Sequence, residues 1–370
     1  MPPPEALVSL VMPCRNAGPM LRPALASAIG QTYPHLEIIF VDDGSSDGSR
    51  AIAEDMAKSC ARSVTVATAP GRGVNVARNH GLSLARGDYV QWLDADDEIA
   101  PSKIALQVAV LEADPAMDIA YGDWTTRLYA KDGTMREGRR YLKPAADQIR
   151  RTLSLAWYPP GIFLLRRRAA DLLAREQGWW PGRPVATDIE YFALAALLGL
   201  NFIQVPDSLG IYNIWSPQQI SAATPYPLRA MVLKAIYARL VSIAERPDVR
   251  GRVRPAHRRL LSQNWDVWAL ARGSIEQSGS AGGNVTLRHR TTGKTLDVRP
   301  REAAVIALIE RDDEARFLAH HATEAMARAP DHFADHAEVI FLLERFRRAG
   351  LLTRIATSPP PLGSRSEVFY

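Results

Sequence analysis

The sequence predicts an α/β fold, an open and mainly parallel sheet, with a more helical organisation toward the C-terminus. Three observations predict it. Short apolar runs alternate with helix-length patterns up to about residue 125, and strands separated by helices of that length pair in parallel through right-handed crossovers. Two of the runs end in carboxylates, Val41-Asp42-Asp43-Gly44 and Leu93-Asp94-Ala95-Asp96-Asp97, and the carboxyl ends of strands in such sheets border ligand crevices. A chain of 370 residues, 47% hydrophobic and 23% charged, suits one large globular domain and a smaller unit.

Taken in order, Leu7–Met12 reads as a buried strand and Pro19–Ile29 as a helix. Leu36–Val41 is a second strand, and Asp47 offers an N-cap for a helix running to Lys58. Val64–Thr68, Val74–Ala85 and Tyr89–Leu93 follow as strand, helix and strand. Pro101 suits the first position of a helix to Leu111, before a fifth strand at Ile119–Gly122. Beyond Thr125 the alternation breaks, with strands at Ile162–Leu165, Phe202–Val205 and Leu209–Ile214 and a helix at Asp188–Leu198.

After Pro225 helix patterns dominate, at Leu228–Glu245 and Arg252–Ala271, and the Gly/Ser-rich stretch Gly273–Gly283 reads as a linker. Val285–His289 and Thr295–Val298 flank Thr292-Gly293, a hairpin signal. Helix patterns then cover Arg301–Ile309, Glu314–Met326 and Ala337–Ala349, and two strands beside three helices fit a small winged-helix-like module. The expected organisation is a catalytic domain over 1–222, a helical extension over 223–280, the small module over 281–358 and a loose tail over 359–370.

A net charge of +5, carried by far more Arg than Lys, suits anionic ligands such as nucleotide diphosphates. No dense basic run suggests a nucleic-acid arm, so no nucleic-acid partner is expected. Cys14 and Cys60 form no metal or redox motif and fit a reducing compartment. The N-terminus lacks a signal-peptide pattern, and the most apolar window, Tyr191 to Val205, is too short to span a bilayer. The expected location is cytoplasmic, with a peripheral role at the inner membrane compatible.

The fourth strand ends in three carboxylates within four positions, Asp94, Asp96 and Asp97. Adjacent carboxylates repel and are costly to desolvate, and a hard divalent cation bridging to phosphate oxygens would cancel that repulsion. A solvated acidic turn is the plainer explanation. Asp43 at the end of the second strand can accept an imide N–H or a ribose hydroxyl, whereas Asp47 suits a turn. Gly71-Arg72-Gly73-Val74-Asn75-Val76 opens a helix, where free N–H groups and a cation form a phosphate site. It partly mimics a dinucleotide fingerprint, which makes a nucleotide-binding oxidoreductase one alternative; a catalytically inactive binding module is another. Asp188, read from its position alone, is a helix N-terminal carboxylate favoured by the macrodipole.

Residues 6 to about 221 resemble the family 2 glycosyltransferases of the GT-A fold. The resemblance rests on Val8-Ser9-Leu10-Val11-Met12-Pro13 with Asn16, on Gln31-Thr32-Tyr33-Pro34, and on Val41 to Gly48. Ala77-Arg78-Asn79-His80-Gly81 and Gly87-Asp88-Tyr89 running into Leu93-Asp94-Ala95-Asp96-Asp97 complete it, in order and spacing. It implies a nucleotide-sugar donor, usually uridine-linked, with Pro13 and Arg15 beside the base and Asp43 pairing with it. It places Arg72 or Arg78 near the base or diphosphate, and Asp94, Ala95 and Asp96 along the donor. Asp96 and Asp97 would hold Mn²⁺ or Mg²⁺. Asp188 would be the general base of an inverting, single-displacement transfer to an acceptor hydroxyl, of a glycan, lipid-linked, peptide or small-molecule acceptor. Two positions depart from the family pattern. Thr187 replaces the first acid of a pair, and Asn213 and Trp215 stand where many relatives carry Arg and His. Arg183 is a candidate substitute for that lost basic pair, and Trp179, Trp180 and Trp215 are candidates for sugar stacking or for packing.

Overall fold

Continuously buried, mainly apolar runs build the middle of the sheet. β1 (Val8–Cys14) and β2 (Leu36–Asp42) are buried at all their positions, as strands covered on both faces must be. β3 (Ser63–Thr68) is only partly covered and β4 (Tyr89–Trp92) is buried throughout. The computed structural model describes residues 5–130, 132–141, 157–183, 185–215, 226–255, 275–279 and 283–300. It also describes 152–153, 257, 267–269, 302–303, 316–317 and parts of 342–356.

The chain folds as two units, Met1–Ile149 with Tyr158–Thr224, and Arg150–Trp157 with Pro225–Tyr370. In the first, β5 (Glu98–Ile99), β6 (Ile119–Tyr121), β7 (Trp124–Tyr129), β8 (Met135–Tyr141), β9 (Phe163–Arg166), β10 (Phe202–Gln204) and β11 (Gly210–Ile214) complete two sheets. The seven-stranded sheet runs β10-β6-β9-β4-β1-β2-β3, and a four-stranded one runs β5-β11-β7-β8. β1 pairs in parallel with both β2 and β4, whereas β9 is antiparallel to β4 and β6. The fifth predicted strand therefore does not extend the parallel run directly. A later strand is inserted beside β4, a long-range pairing that local pattern does not encode.

The helices are α1 (Leu21–Ile29), α2 (Ser49–Ser59), α3 (Val74–Leu84), α4 (Lys103–Ala113), α5 (Arg167–Arg175) and α6 (Thr187–Leu197). A short 3₁₀ turn over Gly18–Met20 replaces the first turn expected of α1. Asp47 does not occupy the N-cap of α2. Gly48 does, in a left-handed conformation, and Asp47 accepts the Ser49 N–H from one residue further out. The Arg-rich run after β9 opens α5, and β5, β7 and β8 were not anticipated, being short or polar.

In the second unit the predicted hairpin is present: β14 (Val285–His289) and β15 (Thr295–Val298) pair antiparallel around Thr292-Gly293. α7 (Tyr226–Glu245) and α8 (Pro247–Arg250) are the helices with defined bounds there. Strands occur where other structure was expected. β12 (Val267–Ala269) lies inside a helix pattern, β13 (Ile275–Gly279) inside the linker, and β16 (Arg316–Phe317) inside another helix pattern. With β17 (Thr353–Ala356) they form two three-stranded sheets, β16-β12-β17 and β13-β14-β15. Pairing with distant partners overrides weak local preference here. Most of the 301–309, 314–326 and 337–349 helix patterns and the 359–370 tail lie outside the described residues.

α3 lies close on the sheet because of one glycine. A Cβ at Gly81 would stand 2.3 Å from Val11 Cγ1 and 3.2 Å from Val41 Cγ2, both on fully buried strand residues. Gly81→Ala is expected to lower stability by about 1–2 kcal/mol, overpacking outweighing the gain in helix propensity, as a reduced urea midpoint at unchanged m-value.

Candidate active site

The chain leaves β1 for β2 and β3 on one side and returns to β4 on the other, so the strand order reverses at β1. That reversal opens a crevice at the carboxyl ends of β1 and β4. Val11 pairs with Trp92, so Pro13 and Asp94, each two residues further along its strand, stand level at the crevice rim. Cys14 pairs with Asp42, which brings Asp43 to the same edge.

Three loops lock together there. Asn16 adopts a left-handed conformation (φ 54°) that turns its side chain toward the loop after β2. Its Oδ1 accepts the Ser46 N–H at 2.8 Å, and its own N–H donates to Ser45 Oγ at 3.0 Å. Asp47 accepts the Gly18 N–H at 2.8 Å. The buried Asp43 carboxylate accepts the Gly73 N–H with both oxygens, at 2.9 and 3.0 Å. The amide at the start of α3, expected to face a phosphate, is thus committed to Asp43. Arg72 donates to the carbonyls of Asp43 and Gly44, both at 3.0 Å. Arg15 is exposed at the rim.

At the tip of β4 the acids alternate in exposure. Asp94 is 29% exposed at its side chain and pairs with Arg78 at 2.7 Å. Ala95 is buried, and Asp96 is partly exposed and accepts the Trp215 indole N–H at 3.2 Å. Asp97 is only 3% exposed and accepts the Asn213 backbone N–H at 2.9 Å, while the Asn213 amide donates to the Asp96 carbonyl at 2.8 Å. Burial, then the neighbouring Asp96 and Asp94, push the Asp97 carboxyl well above the ordinary range. Among the described residues no cluster of three or more ligands forms a complete metal cage. Clustered carboxylate oxygens nonetheless fit a hard cation that keeps one or two protein ligands and takes the rest from phosphate and water.

Asp188 opens α6 in its first turn, behind Ala186, which holds a left-handed N-cap conformation (φ 56°). Desolvation pushes its carboxyl up to about 6; Asp94 adds to the rise, while Arg78 and the first-turn N–H groups oppose it. Arg78, 4% exposed, donates to Thr187 Oγ1 at 3.0 Å and stacks 4.1 Å over the Trp179 ring. It therefore joins α3, the β4 tip and α6.

One expectation is corrected, and one pair of alternatives is decided. Arg183 does not replace the lost basic pair: it is buried in a bidentate pair with Glu190, at 2.8 and 3.2 Å. Trp179 is not a sugar platform, being 2% exposed and stacked on Tyr191 at 4.0 Å and 11°. Trp180 and Trp215 keep partly exposed faces.

Residues 9–173 match the model of glycosyl transferase family 2. The matched region is similar to that family. The chain is 38% identical over 121 residues to the uncharacterized glycosyltransferase YibD of Escherichia coli (strain K12), covering 32% of this chain and 35% of that protein. It is 38% identical over 102 residues to an uncharacterized glycosyltransferase of Haemophilus influenzae, covering 28% and 41%. The chain thus spans well under half the length of these relatives. Among solved structures, S. aureus TarS 1-349 in complex with UDP-GlcNAc superposes with a TM-score of 0.53 at 18% identity, covering 70% of this chain and 71% of that one. Mannosyltransferase PcManGT from Pyrobaculum calidifontis, in complex with GDP-Man and Mn2+, gives 0.50 at 22%, covering 69% and 68%. These likenesses concern the GT-A-type fold.

The site departs from the sequence reading mainly through Asn213, Trp215 and Thr187. They registered as losses, yet each contacts an acid or the buried arginine. No linear signal marks them, because β11 brings Asn213 and Trp215 to the tip by pairing with β5, and Thr187 meets Arg78 from a helix more than a hundred residues away. The Asp188 proton is held to about 6 in the folded chain against roughly 4 when unfolded. Between those values the folded state binds more protons, so stability falls as pH rises through the window and stays lowered above it. Asp188→Asn is therefore expected to stabilise the protein at pH 7.5 by on the order of 1–2 kcal/mol, with the gain vanishing near pH 4 in thermal melts.

Proposed function

We propose that this chain is an inverting glycosyltransferase that moves a sugar from a uridine diphosphate donor to an acceptor hydroxyl. The observation that carries the proposal is a partly desolvated carboxylate, Asp188, electrostatically tied to the acidic strand tip at the crevice where the sheet order reverses. A proton acceptor with affinity near 6 is largely ionised at neutral pH yet still basic, which suits general-base work.

Asp43, with Pro13, Arg15 and Arg72, borders the nucleoside and the near side of the diphosphate in this reading. The acceptor-only carboxylate of Asp43, already oriented by Gly73, takes an imide N–H. Asp94, Ala95 and Asp96 line the ribose and diphosphate, and Asp96 and Asp97 would hold Mn²⁺ or Mg²⁺. Such an ion, when bound, supplies Lewis-acid neutralisation of the departing diphosphate. The acceptor oxygen bonds to the anomeric carbon as the carbon–phosphate-oxygen bond breaks, the nucleoside diphosphate leaves with that electron pair, and the acceptor proton passes to Asp188. One displacement inverts the anomeric centre. The relative solved with GDP-Man and Mn2+ and the one with UDP-GlcNAc support a nucleotide-sugar donor in general. Uridine over guanosine rests on Asp43.

Two outcomes test this. In titration calorimetry UDP is expected to bind tightly only with Mn²⁺ present, and GDP more weakly; equal, metal-free heats for both would reject the donor assignment. With a panel of sugar nucleotides, Asp188→Asn is expected to keep UDP affinity and to lower turnover by at least about 100-fold. Wild-type turnover should be lost as pH falls through about 6, because the base must be ionised. A mutant as fast as wild type would remove Asp188 from the mechanism.

A further inference from the structure

Arg78 is a guanidinium taken almost wholly out of water, with both terminal nitrogens engaged by protein groups. Nη2 donates to Asp94 Oδ1 at 2.7 Å, and Nη1 donates to Thr187 Oγ1 at 3.0 Å and, at longer range, to Asn75 Oδ1 at 3.4 Å. Its flat face covers Trp179, whose ring stacks in turn on Tyr191 of α6. Nε is buried without a partner. A side chain so enclosed is built in as structure, which argues against the alternative of a contact to the base or diphosphate. From these contacts we infer that Arg78 is a positioning residue whose fork fastens the first turn of α6, with Asp188, to the donor-side tip that carries Asp94. The inference rests on the transferase reading above.

Two independent paths run from Arg78 to the base helix: the hydrogen bond to Thr187, and the ring stack through Trp179 and Tyr191. The fork is the reason an arginine is needed. Lysine would keep the charge but, as a point donor on a flexible stem, would not span two partners and lie on a ring together. Thr187 matters for the same reason. An acid at that position would draw the cation toward itself, whereas a hydroxyl takes one N–H and leaves the charge to Asp94 and Asp188.

The charged groups around Asp188 are accounted for element by element. α3 presents Arg78 and the β4 tip presents Asp94, with opposite effects on its proton affinity. On α6 Glu190 is held by Arg183. On α5 Arg167 and Asp171 pair with each other at 2.8 Å, and the Asp171 charge is felt at Tyr191. On β9 Arg166 donates to the Tyr89 hydroxyl. Arg78 is thus the cation that keeps Asp188 ionisable near neutrality.

The test uses the full chain without ligand. Aspartate carboxyls are labelled with ¹³C, Asp188→Asn assigns the resonance, and the titration is followed with amide exchange over residues 187–191. Arg78→Met is expected to raise the Asp188 midpoint by about one pH unit and to speed exchange across the first turn of α6. The acid limb of sugar-nucleotide turnover should move upward with the midpoint. Arg78→Lys is expected to keep the midpoint near wild type while losing the exchange protection. A folded Arg78→Met protein with unchanged midpoint and exchange overturns the inference. Should that variant fail to fold by circular dichroism, wild-type exchange in Arg78→Lys overturns it instead. The midpoint and exchange readouts are independent of whether Asp188→Asn abolishes transfer, a result that decides the transferase reading alone.

Discussion

The site depends on burying one cation, Arg78, at the meeting point of α3, the β4 tip and α6. Removing a guanidinium from water costs several kcal/mol unless its donors and charge are met. Here a carboxylate, a hydroxyl and an indole face meet them, each from a different segment. None of these segments can move independently without leaving the charge uncompensated. The height of α3 over the sheet is part of the same constraint, since the contact at Gly81 with Val11 and Val41 sets how far Arg78 reaches.

The strand tip carries the opposite problem, an excess of negative charge. Asp94 has Arg78, and Glu98 has Arg127 at 2.7 Å, while Asp96 accepts from the Trp215 indole and Asp97 from the Asn213 backbone. The small sheet makes this possible. β11 pairs with β5 directly after the acidic turn, so the backbone of Asn213 arrives beside Asp97. Residues that broke the expected family pattern thus form the rim of the acidic tip.

Reading the residues in order placed the acids at strand ends and at a helix start because those determinants are local. Strand ends, carboxylate clusters and helix starts are short-range features, and Asp43, Asp94, Asp96, Asp97 and Asp188 all carry such a signature. The hairpin at Thr292-Gly293 was legible for the same reason. Arg183 was misread, and Trp179 stayed open between platform and packing, because an exposed cation or platform and a buried one look alike in one dimension. Only the partners Glu190 and Tyr191, brought close by the turn into α6, distinguish them.

By itself the sequence determined the α/β alternation, the positions of the acidic tips and the family motifs, since period, turn chemistry and charge clustering act between neighbours in the chain. Tertiary structure alone decided that β9 enters the sheet antiparallel beside β4, that Gly73 turns its amide to Asp43, and that Arg78 faces inward to join Asp94 to Thr187. These depend on pairings across dozens of residues, whose energies arise only when distant segments are packed and their polar groups must find partners away from water.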